Sequence, residues 1–336
     1  HTFVKLITRQ TTVRYTWPGA PPPPPRGPPP PPGGGPRPRP GRRRVLAIFL
    51  TPALVLFLLL VIAPIVVASY ASLYKWNGFN LPQNFVGLDN YTRAFGDPTF
   101  RGDLWHGLVL IVLSLTVQLP VALGLAMLLN QPLRGRSIYR LIFFAPYVLS
   151  EVTTAVLFNL VFSPNRGLGD SIARWLGSDA GTIFADPDTV LFAVFMIVSW
   201  KYFGLYMMLF LAARQSIPKE LNEAATTDGA GPWQAFRHVT LPLLGPTIRI
   251  SVFLSVIGTI QLFDMVWVLT GGGPIHASET MAVTMFQYGF RRFEVGYASA
   301  ISIIMFLLSF VFALIYQRVV LRRDTEGAIT NQGDNR

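Results

Sequence analysis

Between Val45 and Leu73 the chain carries no charged side chain and is apolar almost throughout. Such a run exceeds the ~20 residues that cross the hydrocarbon core of a bilayer as a helix. It also exceeds the ~7–15 apolar residues of a signal-peptide core, so it reads as a retained span. Comparable runs recur at Leu104–Asn130, Leu141–Phe162, Thr189–Ala213, Ile248–Thr270 and Ala298–Val320. Inside lipid a backbone N–H or C=O finds no water, so each run must satisfy its own hydrogen bonds as a helix. The expectation is an all-α membrane protein with six transmembrane helices. A composition with 51% hydrophobic residues and a mean hydropathy of +0.42 agrees.

The formal net charge of +11 suggests a nucleic-acid partner until it is located. Residues 1–44 hold nine Lys or Arg residues, among them Arg42, Arg43 and Arg44, and no acid, so the rest of the chain is nearly balanced. A basic block directly before an apolar span is an orientation signal. The connections agree: Arg134, Arg136, Arg140, Arg214, Lys219, Arg237, Arg249 and Arg318 fall on one side, whereas cations on the other are mostly diluted by acids. Both termini are expected in the cytoplasm of a multi-pass protein. Pro21–Pro40, rich in Pro, Gly and Arg, cannot form a packed core. The expected organisation is a disordered cytoplasmic tail over 1–44, a membrane domain over 45–323 and a polar tail over 324–336.

One polar island, Ile217–Pro242, interrupts the apolar pattern on the cytoplasmic side. It reads as two short helices around a glycine turn, with Ser216 as cap and Pro218 in the first turn of one, and Pro232 opening the other. Helices this short cannot span a bilayer. The island is either a hairpin on the membrane surface or a docking knob for another protein.

Its residues resemble the EAA loop of binding-protein-dependent ABC import permeases. Glu223, Ala224, Ala225, Asp228, Gly229, Ala230, Leu241 and Pro242 fill the places of that pattern in order. Phe85-Val86-Gly87-Leu88-Asp89-Asn90-Tyr91, Leu269-Thr270-Gly271-Gly272-Gly273-Pro274 and the stretch Gly296-Tyr297-Ala298-Ser299-Ala300 resemble further signatures of the sugar-type permeases. The resemblance covers about 45–323. It implies that the island couples the membrane helices to ATPase subunits, with Glu223 contacting the ATPase cleft, Ala224 and Ala225 allowing close approach, and Gly229 making the turn. A glycine suits that turn on its own account, because it accepts positive φ without a Cβ penalty.

The chain lacks a G-x-x-x-x-G-K-[ST] phosphate loop, and no glycine precedes any of Lys5, Lys75, Lys201 or Lys219. It has no Cys, no H-E-x-x-H and no G-x-S-x-G. The chain is thus expected to be a transport subunit with no ATPase site and no cofactor of its own, ATP and Mg being held by partner subunits. Polar residues at membrane depth are costly and usually face a cavity or a partner. Lys201, Asp264, Gln261 and Asn159 stand out, with the aromatic faces of Trp200 and Tyr206 close by in sequence, while Glu151 punctuates the third run. Lys201 and Asp264 either neutralise one another or line a path in which aromatic rings stack on a sugar and polar groups bind its hydroxyls.

The expected function is the permease subunit of an ATP-driven sugar importer in a bacterial cell membrane. Its expected partners are a second permease, two ATP-binding subunits, an extracytoplasmic solute-binding protein and the sugar. A permease for a polyol, phosphodiester or peptide, and a membrane scaffold without transport activity, are the alternatives.

Overall fold

The computed structural model describes residues 41–163, 167 and 183–321. The chain divides into two units, 1–56 and 57–336. Of the first, the described part is helical from Gly41. The tails expected at 1–44 and 324–336 otherwise lie outside the described residues.

In chain order the elements are α1 (Phe49–Ala71), α2 (Asp89–Gly96), α3 (Pro98–Leu129), α4 (Arg136–Val148), α5 (Glu151–Val161), α6 (Val190–Ser216), α7 (Lys219–Thr227), α8 (Pro232–Leu243), α9 (Gly245–Ile260), α10 (Asp264–Leu269), α11 (Met281–Phe286) and α12 (Val295–Val320). Among the described residues there is no strand, only an isolated antiparallel bridge between Tyr74 and Phe85. Among the described residues four helices, α1, α3, α6 and α12, are long and apolar enough to cross a membrane. The pairs α4–α5 and α8–α9 bring the number to six if each counts as one span, although they bend by 100° and 66°.

Two expected spans are corrected, one at the α4–α5 bend and one at a break between α9 and α10. Leu141–Phe162 is interrupted because Leu149 and Ser150 take extended backbone, ψ 145° and 155°, and the Ser150 hydroxyl then caps α5 by accepting from the Thr153 N–H at 3.1 Å. Ile248–Thr270 is not one helix either. It ends at Ile260, Gln261 caps it, and Asp264 begins α10. The Leu262 carbonyl in that gap accepts from the Thr280 hydroxyl at 2.8 Å, which meets a backbone group the helix no longer serves.

Within the second unit, α3 and α6 pack through Ala122 and Ala126, both fully buried, against Met207 and Phe210. A second core joins Leu110, Val194, Met265 and Val283. Two glycines set the closest approaches. A Cβ on Gly204 of α6 would lie 2.0 Å from the Phe143 carbonyl oxygen, and one on Gly296 of α12 would lie 2.0 Å from that of Tyr74. A π turn at Ser114–Gln118 inside α3 immediately precedes Pro120, whose ring supplies no N–H and crowds the carbonyl four residues back.

The Phe85–Tyr91 motif has a local explanation. Gly87 sits at φ +58°, and the buried Asn90 amide donates to the carbonyls of Ser72 (2.8 Å) and Tyr74 (3.0 Å), tying α2 to the end of α1. Arg93 on α2 pairs with Glu294 and lies over the Tyr297 ring at 4.1 Å.

Candidate functional site: a membrane cavity and an exposed helical loop

A cavity of about 570 Å³ opens between α3, α6, α9 and the α4–α5 bend. Its polar wall is assembled from helix interruptions. The bend delivers Tyr147 and Glu151, the π turn of α3 delivers Ser114 and Gln118, and the break between α9 and α10 delivers Thr259, Gln261 and Asp264. A straight apolar helix would offer none of these groups a reason to be there.

The wall is internally bonded. Ser114 donates to the Gln118 side-chain amide oxygen, and its hydroxyl lies 2.8 Å from that of Ser255 on α9. The Tyr202 hydroxyl donates to Glu151. The Tyr147 and Tyr202 rings meet edge to face at 6.0 Å. The result is a surface of aromatic faces and hydrogen-bonding groups, with Gln261 and Asp264 both exposed toward open space.

Of the residues singled out in the sequence, Glu151, Tyr206, Gln261 and Asp264 line this cavity together. Trp200, Lys201 and Asn159 do not. The Trp200 ring packs edge-on against Phe158 at 5.1 Å, and the Asn159 amide donates to the Val268 carbonyl at 2.8 Å, fastening α5 to α10. Lys201 forms no ion pair with Asp264. Its ammonium, on a residue only 2% exposed, donates to the Leu149 carbonyl and reaches that of Tyr147 at 3.5 Å. It thus covers carbonyls that α4 leaves unmet where it ends, a side-chain cap at a helix C-terminus. Tyr202 was not singled out from the sequence, whereas Glu151 was noted as a polar residue of the third run and lines the cavity beside it. The Ser150-Glu151 pair, a serine followed by a carboxylate in the middle of an apolar run, is also the signal of a helix start.

The second feature is the segment 217–243. Pro218, not Ser216, takes the N-cap position of α7; Ser216 ends α6, where its hydroxyl donates to the Ala213 carbonyl. The shift follows from Pro218, whose missing N–H suits a helix entrance. α7 contains no buried residue. Leu221, Glu223, Ala224, Asp228 and Gly229 are exposed, while Ala225 and Ala230 are half-buried. Gly229 stands at φ +85° with nothing within 4 Å of where a Cβ would lie. The Ala230 N–H closes the helix end onto the Ala225 carbonyl (2.9 Å), and the Gly231 N–H donates to the Gln234 side chain (2.9 Å). Trp233, 67% exposed, stacks on Phe236. Leu241 and Pro242 lie on α8 after a π turn at Phe236–Thr240. The two helices touch through the Thr240 hydroxyl, which donates to Asn222 at 3.2 Å.

Comparison with known proteins places this architecture. Residues 118–325 match the model of the binding-protein-dependent transport system inner membrane component family. The sulfoquinovosyl glycerol transport system permease protein SmoG of Agrobacterium fabrum is 31% identical over 285 residues, 84% of this chain and 92% of that protein. The trehalose/maltose transport system permease protein MalF of Thermococcus litoralis is 32% identical over 278 residues, 82% of this chain and 94% of that protein. In the crystal structure of a bacterial ABC transporter involved in the import of the acidic polysaccharide alginate, one chain has the same fold, with a TM-score of 0.74 at 24% identity over 84% of this chain and 96% of that one. The helical architecture, the family match and these relatives together establish that this chain belongs to the binding-protein-dependent transport system inner membrane components and is a multi-pass ABC transporter permease.

Proposed function

We propose that this chain forms, with a second permease, the translocation path of an ATP-driven sugar importer, and that residues 217–242 couple that path to ATPase subunits. The observation that carries the sugar reading is the cavity wall of tyrosines and hydrogen-bonding side chains, two carboxyl groups among them, a surface suited to a ligand with C–H faces and many hydroxyls. The relatives whose names specify a glycoside or disaccharide support the same class.

In this reading Tyr206, Gln261 and Asp264 touch the solute, while Lys201, Trp200 and Asn159 hold the helices that present them. ATP and Mg belong to two partner subunits, and an extracytoplasmic binding protein delivers the sugar. Both termini and the α7–α8 segment face the cytoplasm, in keeping with the arginine bias of the connections. Glu223, Ala224, Ala225, Asp228, Gly229 and Ala230 form the tip of a knob, with Leu241 and Pro242 at its base. ATP and loaded binding protein favour the outward-open state because they bind it better than the inward-open one, and hydrolysis removes that preference.

The test is uptake of a panel of labelled mono- and oligosaccharides by cells with and without this gene, the partner subunits present in both. Loss of uptake of one sugar supports the proposal and names the substrate. Unchanged uptake of every sugar by a complex that assembles points to a polyol, phosphodiester or peptide, and failure to assemble with any ATPase subunit points to a scaffold.

A further inference from the structure

A second hollow, of about 590 Å³, lies where the start of α4 meets the end of α6 and the start of α7. Arg136, Arg140, Arg214 and Lys219 line it, and no acidic side chain does. Four cations gathered without an anion repel one another. Arg140 sharpens the point, because its Nε and Nη2 are buried and have no hydrogen-bond partner. A guanidinium does not shed its proton, so these donors stay unmet until an acceptor enters. A phosphate fits the deficit, since its oxygens accept paired hydrogen bonds from guanidinium forks.

The surroundings identify the source. On the same helix as Arg136 and Arg140, the side chains of Ile138, Leu141 and Ile142 are 62%, 67% and 58% exposed. Charged pocket and bare aliphatic wall thus adjoin at the end of a span, the arrangement that accepts a headgroup on one side and acyl chains on the other. We propose that this pocket binds the phosphate of an anionic phospholipid, which then seals α4 to α6 beside the entrance of the exposed loop.

The experiment uses the full chain purified with its partner subunits and exchanged into mixed phosphatidylglycerol and phosphatidylcholine, the bound lipid being counted by native mass spectrometry. The expected result is a preference of about tenfold for phosphatidylglycerol that falls to about one in the double variant Arg140→Gln, Arg214→Gln. Arg214→Gln alone leaves the buried guanidinium of Arg140 in place and is expected to lose part of the preference, which keeps the test open if the double variant does not fold. Arg134→Gln, at an exposed residue outside the pocket, should change nothing. Equal retention of the two lipids by the unmodified chain, or an undiminished preference in either pocket variant, overturns the proposal. Displacement of phosphatidylglycerol by an excess of inorganic phosphate, with stabilisation by phosphate alone, overturns the lipid as the source and leaves a site for a free anion.

Discussion

The chain is broken out of regular helix at Leu149–Ser150 and again at Asp228–Gly231, and the two interruptions are built in opposite ways. At the first, the buried Lys201 ammonium covers the carbonyls and Ser150 caps the next helix, while Gly204 lets α6 press onto the α4 backbone. At the second, a glycine at positive φ stands in open space and the bonds that close the turn come from residues within a few positions of it. One interruption is fixed by long-range packing, and the other by its own sequence. A break inside the membrane must find partners for every backbone group it frees. One in water can leave them to solvent, so its exposed face is available to another protein.

The sharpest way to break this contrast is Gly204→Val. With a Cβ 2.0 Å from a backbone oxygen there is no flexible neighbour to yield, and a loss of about 3 kcal/mol or more is expected, read as a collapse in the thermal stability of the solubilised complex. Unchanged stability would mean that the α4–α6 contact is not what fixes the bend. Lys201→Met keeps length and removes the donor, so it should cost about 1.5–3 kcal/mol with uptake per folded complex preserved. If stability holds and uptake falls instead, Lys201 belongs to the path. Gly229→Val should cost only about 1–2 kcal/mol of local backbone strain. It should nevertheless uncouple ATP hydrolysis from uptake in an assembled complex, and normal coupled uptake would remove the knob assignment. Smallest in stability is Glu151→Gln, which keeps an acceptor for Tyr202. It should shift the substrate concentration for half-maximal uptake a few-fold, about 1 kcal/mol, at unchanged melting temperature. No shift would place Glu151 with the scaffold.

What was legible in the sequence follows the same division. The long apolar runs announced helices because lipid permits little else, and the glycine turn at 229 was legible because its cause is local. The interruption after Ile260 was not, since Leu262–Leu269 is apolar but for Asp264 and its freed carbonyl is met by Thr280, 18 positions along the chain. The bend at 149–150 left a trace in Ser150 and Glu151, yet the residue that completes it, Lys201, lies 52 positions from Leu149 in sequence. Depth in an apolar run therefore identified Lys201 as unusual but not as a cap. Asp264 and Gln261 reached the cavity for a reason sequence periodicity could not supply, namely that the helix had already ended.

Because Lys201 spends its charge on carbonyls, the cavity presents two carboxyl groups, Glu151 and Asp264, and no basic side chain. A solute bearing its own negative charge meets no counter-ion on this wall, whereas a neutral one loses nothing by the lack. On the proposed path acidic sugars are therefore expected to be taken up less well than neutral ones, because the lysine at this depth serves a helix end.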